Sequence, residues 1–286
     1  MSANIIKGVP IAGAITENLI PRCALLRAGG VIPTLAIVRL GERANDLSYE
    51  KGALKRCAAV GIEVRQVLLP EDISEEALLG EIRALNEDRS VHGVLILRPL
   101  PGHINESRIC DALCPCKDVD GITAGSMAAV YSGSGDGYTP CTAQAVVETL
   151  KFYNIPICGK RAAVVGRSLV VGRPVAMLLM RENATVTVCH TATADLARAV
   201  READIVVSAA GKINLITGEL LHEGQSVMDV GINYDEARHC LCGDVDHEAA
   251  EAIVDNISAV PGGIGAVTTS ILAMHVIQAA EKAEKR

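Results

Sequence analysis

The feature that most limits the fold of this chain is an alternation that occurs twice along it. Short runs rich in Val, Ile and Leu are separated by segments with helical spacing. After a short lead, residues 33–40 (PTLAIVRL), 62–69 and 91–97 read as buried strands. Between them, 45–60 has helical spacing closed by Gly61, and a helix over 74–86 opens at Ser74 with Glu75 and Glu76 in its first turn, where carboxylates favour the helix dipole. A β-α-β-α-β order predicts a parallel sheet with right-handed crossovers. A second run follows: a strand ending at Val165, then 185–189, 204–209 and 225–230, with helices after Pro174 and over 195–201, and a C-terminal helix over 267–285. The expected fold class is α/β, with two α/β domains, each built on a parallel sheet and the second Rossmann-like.

The second run turns on residues 163–176, AVVGRSLVVGRPVA. Gly166 permits a sharp turn, Gly172 would let a ligand approach the backbone, and Pro174 has the φ of a first helical position. Amides at such a helix start attract phosphate. The spacing G-x-S-x-x-V-G-x-P is not the dinucleotide fingerprint, so by itself it fits an ordinary βα turn equally well.

Composition narrows the partners. The chain of 286 residues is 49% hydrophobic but only 2% aromatic, with no Trp and one Phe, so its cores are aliphatic, as buried parallel sheets require. A net charge of −7 without a Lys/Arg-rich tract argues against a nucleic-acid or anionic-membrane surface and for a small-molecule partner. No apolar run reaches membrane-spanning length and no signal peptide opens the chain, so a cytoplasmic location is expected. The ten cysteines are then expected as reduced thiols. Cys110, Cys114 and Cys116, and the Cys240/Cys242 pair, lack the paired spacing of zinc ligands, and no metal is expected. The Gly/Ser tract 131–138 reads as a loop between domains.

Six stretches in order carry a more specific likeness: Tyr49 on its helix, Arg98-Pro99-Leu100-Pro101, Lys117-Asp118-Val119-Asp120-Gly121, Pro140-Cys141-Thr142, Gly166-Arg167-Ser168, and Val260-Pro261-Gly262-Gly263-Ile264-Gly265. Together, over nearly the whole chain, they resemble the methylenetetrahydrofolate dehydrogenase/methenyltetrahydrofolate cyclohydrolase family. The resemblance implies a folate-binding catalytic domain at 1–139 completed by the C-terminal helix 267–286, a Rossmann-like NAD(P)-binding domain at 140–266, a cleft between them, and a homodimer. It also implies hydride transfer from methylenetetrahydrofolate to NADP or NAD, followed in bifunctional members by hydrolysis of the methenyl product. Tyr49, stacking on the folate, and Asp120, hydrogen-bonded to the pterin, would be the catalytic residues. Pro99, Leu100 and the Pro261, Gly262, Gly263 loop would help bind tetrahydrofolate derivatives. Gly166, Arg167, Ser168, Gly172, Arg173, His190, Thr191, Ile232 and Thr268 would bind the cofactor.

Two positions depart from the bifunctional pattern. A lysine four residues after the tyrosine is replaced by Ala53, and a glutamine at the end of the third strand is replaced by Leu97. At about 100° per residue, position 53 lies roughly 40° from Tyr49 around a helix, whereas Lys51 and Lys55 lie roughly 160° and 120° away and read as solvated. Hydride transfer is mainly a positioning problem, but hydrolysis needs positioned proton transfer. The sequence therefore predicts a dehydrogenase with weak or absent cyclohydrolase activity. The alternatives are the ordinary bifunctional enzyme and a non-catalytic folate- or nucleotide-binding protein.

For the cofactor, the strand 185–189 runs into His190-Thr191-Ala192-Thr193 with no carboxylate before Asp195, which reads as a helix-start residue. An acid there would hold the ribose of NAD and repel a 2′-phosphate. NADP is the expected cofactor, with NAD as the alternative, and Arg167 and Arg173 are available to a phosphate.

Overall fold

The computed structural model describes residues 2–236 and 238–284, which form two units: residues 2–12 with 142–268, and 13–141 with 269–284. In chain order the elements are β1 (Asn4–Ile6), α1 (Gly8–Ala28), β2 (Thr34–Leu40), α2 (Ala44–Val60), β3 (Glu63–Leu69), α3 (Glu75–Glu87), β4 (Gly93–Ile96), α4 (Glu106–Ala112) and α5 (Ala124–Ser132). After α6 (Cys141–Phe152) come β5 (Arg161–Val165), α7 (Gly172–Arg181), β6 (Thr185–Cys189), α8 (Leu196–Arg201), β7 (Ile205–Ser208) and β8 (Ser226–Asp229). The chain then forms β9 (Asn233–Asp235), β10 (Cys240–Cys242), α9 (His247–Glu251), β11 (Asn256–Ser258) and α10 (Gly265–Glu284). Among the described residues, no helix is long and apolar enough to cross a membrane.

The unit around 13–141 is built on a three-stranded parallel sheet ordered β3-β2-β4. Its central strand, β2, is buried from Leu35 to Leu40, because the Val/Ile/Leu run is covered on both faces. α3 shows how sequence sets one cover. Ser74 accepts a hydrogen bond from the Ala77 amide as N-cap, and Leu78, Leu79, Ile82 and Leu85 form the stripe that packs with Val38 and Ile96. The chain passes from β2 to the edge strand β3 and back across to β4, so the switch point lies at the carboxyl ends of β2 and β4.

The other unit carries a six-stranded sheet ordered β1-β11-β8-β7-β5-β6, every pairing of which is parallel. Its switch point falls between β5 and β7, since the chain runs from β5 out to β6 and then back past β5.

Three expectations are corrected. Residues 2–12 belong to the six-stranded unit, because β1 pairs in parallel with β11, Ile5 opposite Ile257. The lead is a 21-residue helix, α1, although Pro21 stands inside it. The tract 131–138 lies within the 13–141 unit: Tyr131 and Ser132 end α5, Gly133 caps it at φ 77°, and the boundary comes at 141/142.

Candidate active site

The β5/β7 switch point opens into a cavity of about 510 Å³ lined by Gly166, Arg167, Ser168, His190, Thr191 and Lys212, among others. Five of the nine residues expected to bind cofactor therefore meet in one place. Gly166 has φ 127°, and a Cβ there would overlap the Ala209 carbonyl oxygen at the end of β7. Gly172 is required by the turn itself: a Cβ there would overlap the Gly166 carbonyl oxygen. Pro174 is the third residue of α7, not the first, where its missing N–H still costs no helical bond. The first amides of the turn are also engaged: Ser168 Oγ accepts from the Val171 and Gly172 amides at 3.1 and 3.4 Å. Arg173 lies outside the cavity lining and its Nε donates to the Arg167 carbonyl at 3.1 Å. The exit of β6 is turned by Thr193, whose hydroxyl accepts from the His190 amide at 2.8 Å, and Asp195 caps α8 through the Arg198 amide.

A residue the sequence reading missed fixes the far wall. Asp244 is fully buried and accepts from the amides of Ala210, Gly211 and Lys212 at 2.7, 3.1 and 2.9 Å, and from Ser208 Oγ and Asn233 Nδ2. Those three amides belong to the loop that lines the cavity after β7. Only the Gly243-Asp244 pair in sequence hints at it. Asp244→Ala would strand these donors, at about 3 kcal/mol or more, a fall in Tm of roughly 6 °C or more. A thermal melt checks the fall, and the Kd for NADP should rise with it.

In the other unit, the candidate folate-side residues gather at the carboxyl end of the three-stranded sheet. The Val94 amide donates to the Lys117 carbonyl at 2.7 Å and Asp118 bridges Val94 in parallel, which carries Asp120 toward the end of β4. There the chain continues through Leu97, Arg98, Pro99 and Leu100. Glu106 holds this turn, accepting from Arg98 Nη1 and from the Leu100 amide, both at 3.0 Å. The two aspartates of this segment divide their roles. Asp118 is buried and accepts from the Ile122 and Thr123 amides, so it shapes the turn. Asp120 is half-buried; desolvation and the neighbouring Asp118 push its carboxyl up to about 6, against the pull of Arg98 and the Cys141 thiol.

Tyr49 stands half-buried in the second turn of α2. α2 runs unbroken from Ala44 to Val60, with Ala53 fully buried and Lys51 and Lys55 exposed, so neither lysine takes the place of residue 53. Leu97 is buried as well. The helix is anchored by an ion pair not foreseen from sequence: Arg39 Nε donates to Glu50 Oε2 at 2.8 Å, and Gln66 Nε2 to Glu50 Oε1 at 2.8 Å, with both charged groups buried. Breaking such a pair typically costs about 3–5 kcal/mol, so Glu50 fixes the residue next to it, Tyr49.

The Asp118–Asp120 segment is also held from α10. His275 Nδ1 donates to the Val119 carbonyl at 2.8 Å, and the Cys141 thiol donates to the same oxygen at 3.3 Å. Burial pushes His275 down to about 4. The unfolded chain then binds a proton near pH 6.5 that the folded chain refuses, so stability drops as pH falls from about 6.5 to 4. His275→Asn keeps an N–H donor without titrating, and chemical denaturation across this range should show a flatter acid limb.

The remaining candidates are placed apart. Ile232, 65% exposed, shares a small cavity of about 180 Å³ with Pro261, Gly262 and Gly263 in the six-stranded unit. Thr268 is buried, and its hydroxyl donates back to the Gly265 carbonyl. The cysteines are free thiols, and among the described residues no group of three or more His, Cys, Asp or Glu is arranged to hold a metal.

Comparison with known proteins gives a consistent picture. Residues 6–120 match the family described as "Tetrahydrofolate dehydrogenase/cyclohydrolase, catalytic domain", and residues 140–284 match "Tetrahydrofolate dehydrogenase/cyclohydrolase, NAD(P)-binding domain". The chain is 46% identical over 281 residues to the bifunctional protein FolD of Clostridium kluyveri, covering 98% of this chain and 99% of that one. Among solved structures, the bifunctional FolD of Campylobacter jejuni superposes with a TM-score of 0.95 at 36% identity, covering 98% and 99% of the two chains. The methylenetetrahydrofolate dehydrogenase-cyclohydrolase of Trypanosoma brucei, solved with NADP and an inhibitor, superposes with a TM-score of 0.93 at 36% identity over all of both chains.

Proposed function

Because this chain belongs to the tetrahydrofolate dehydrogenase/cyclohydrolase family, we propose that it is an NADP-dependent methylenetetrahydrofolate dehydrogenase. The observation that carries the proposal is the switch-point cavity. It has the size of a ligand pocket, and among the described residues its lining contributes Arg167 and Lys212 and no carboxylate. That donor set suits a phosphorylated nucleotide, and the absence of an acid after β6 favours a 2′-phosphate over a free ribose. NADP, when bound, supplies the hydride acceptor. The protein's own work is positioning. Tyr49 would stack on the pterin, the Asp120 carboxylate would accept from its N–H groups, and the 166–168 turn with His190 and Thr191 would hold the nucleotide. Steady-state kinetics with both cofactors test the reading: kcat/KM should favour NADP, and Arg167→Ala should shrink that preference about tenfold, the scale of one hydrogen bond to a charged group. An equal or greater efficiency with NAD would sink it.

A second reading, the two-activity enzyme, has a specific observation behind it: the relatives at 46% and 36% identity are named bifunctional. Against it stand Ala53 and Leu97, both buried and neither able to move a proton. A homodimer completes the proposal, with a solution mass twice the 30.0 kDa of one chain by light scattering.

A further inference from the structure

The unit around 13–141 contains a second cavity, of about 430 Å³, lined in part by Arg89, His92, Lys117, Asp136 and Lys282. It opens at the amino end of β4, where His92 stands, whereas Leu97 and the Arg98–Leu100 turn lie at the carboxyl end, roughly 16 Å along the strand. It is therefore not the folate-side site.

His92 shows what the cavity is built to meet. The residue is 8% exposed, and its Nδ1 accepts from the Thr34 amide at 3.2 Å. An amide can only donate, so Nδ1 carries no proton and Nε2 carries one. Among the described residues no hydrogen bond engages Nε2, and His92 lines the cavity, which leaves a solvent-accessible N–H donor on an otherwise buried ring there. Lys117 is set alongside. Its ammonium donates to the Leu85 and Asp88 carbonyls at 2.7 and 2.6 Å, which pins it and leaves its third proton. The Lys282 ammonium sits 4.7 Å from the centre of the Tyr138 ring, and Arg89 is exposed at the rim. The cavity lining thus holds three cations and one carboxylate, Asp136, with the Asp88 carboxylate also acting on Lys117, in a chain whose net charge is −7. Burial lowers both Lys117 and His92, the second also through the charge of Lys117, and an anion beside them would offset that cost.

We propose that this cavity is a binding site for a small polyanion, a metabolite carrying phosphate or several carboxylates, held by Lys117, Lys282, Arg89 and the His92 Nε2–H. Calorimetric titration of the full-length protein, saturated with NADP so that the cofactor site is filled, tests it with inorganic pyrophosphate and with citrate at constant ionic strength. At least one probe should bind at one site per chain, and the one that binds tells phosphate from carboxylate ligands. Binding should weaken tenfold or more in Arg89→Ala/Lys282→Ala, with NADP affinity and Tm unchanged, but not in Arg181→Ala/Arg201→Ala, which removes two exposed charges from the other unit. Binding of neither probe would overturn the proposal, as would an equal effect of the two double variants.

Discussion

Replacing Asp120 with asparagine is expected to lower kcat/KM for methylenetetrahydrofolate oxidation about 100-fold, the loss typical of removing one member of a buried charged hydrogen bond, while raising Tm. The two effects have one origin. Desolvation and Asp118 hold the Asp120 carboxyl at about 6, above its ordinary 3.8. The folded chain therefore keeps a proton that the unfolded chain releases between about pH 3.8 and 6, and the stabilising influence of this group is lost as pH rises through that window. At pH 7.5 the fold bears the whole cost of an ionised Asp120, and the neutral amide removes it. The wild-type kcat/KM should fall as pH drops through about 6, where the free enzyme's carboxylate is protonated. The asparagine variant should lack that limb. A variant that lost Tm and activity together would reassign Asp120 to a structural role.

What the sequence shows of this fold is its local part. The strands β2, β5 and β7 are largely apolar runs, β3 and β6 are β-branched stretches mixed with polar residues, and α2 and α3 carry a stop in Gly61 and a start in Ser74, so each is legible from its neighbours in sequence. β1 and β11 are three residues each, too short for any periodicity, and exist because residues 4–6 and 256–258 pair across the length of the chain. α1 is obscured by Pro21 and by a lack of a one-sided apolar stripe. The same division holds at the site. The 166–168 turn and Asp120 sit in recognisable motifs, whereas Asp244, Glu50 and His275 act on groups about 11 to 156 residues away. Gly172 shows the limit within a motif: the residue was legible, but the neighbour that requires it, the Gly166 carbonyl, was not.

The largest expected effect concerns hydrolysis. Positioned acid or base groups typically contribute about 10²–10⁴-fold to such a step, and the protein should hydrolyse methenyltetrahydrofolate at a rate within about tenfold of the spontaneous one while oxidising methylenetetrahydrofolate efficiently in the same preparation. The physical basis is the α2 surface next to Tyr49. Residue 53 is an alanine with no exposed area, Lys51 and Lys55 project into solvent from an unbroken helix, and Leu97 closes the end of β4 with hydrocarbon. Installing Ala53→Lys alone would place an ammonium at a position with no exposed area, which lowers its pKa and strains the fold. Ala53→Lys with Leu97→Gln restores both members of the pair that the family resemblance implies. The double variant should gain hydrolysis at least tenfold over the single one, read as loss of the methenyl absorbance, with the dehydrogenase rate less affected. A wild-type hydrolysis rate hundreds of times the spontaneous one would instead establish the two-activity enzyme that the names of its relatives favour, and would require a proton-transfer group other than residue 53. In either outcome the proposed hydride chemistry would draw on the same parts, Tyr49, Asp120 and the Gly166 turn, because it asks the protein to hold two molecules in place and not to move a proton.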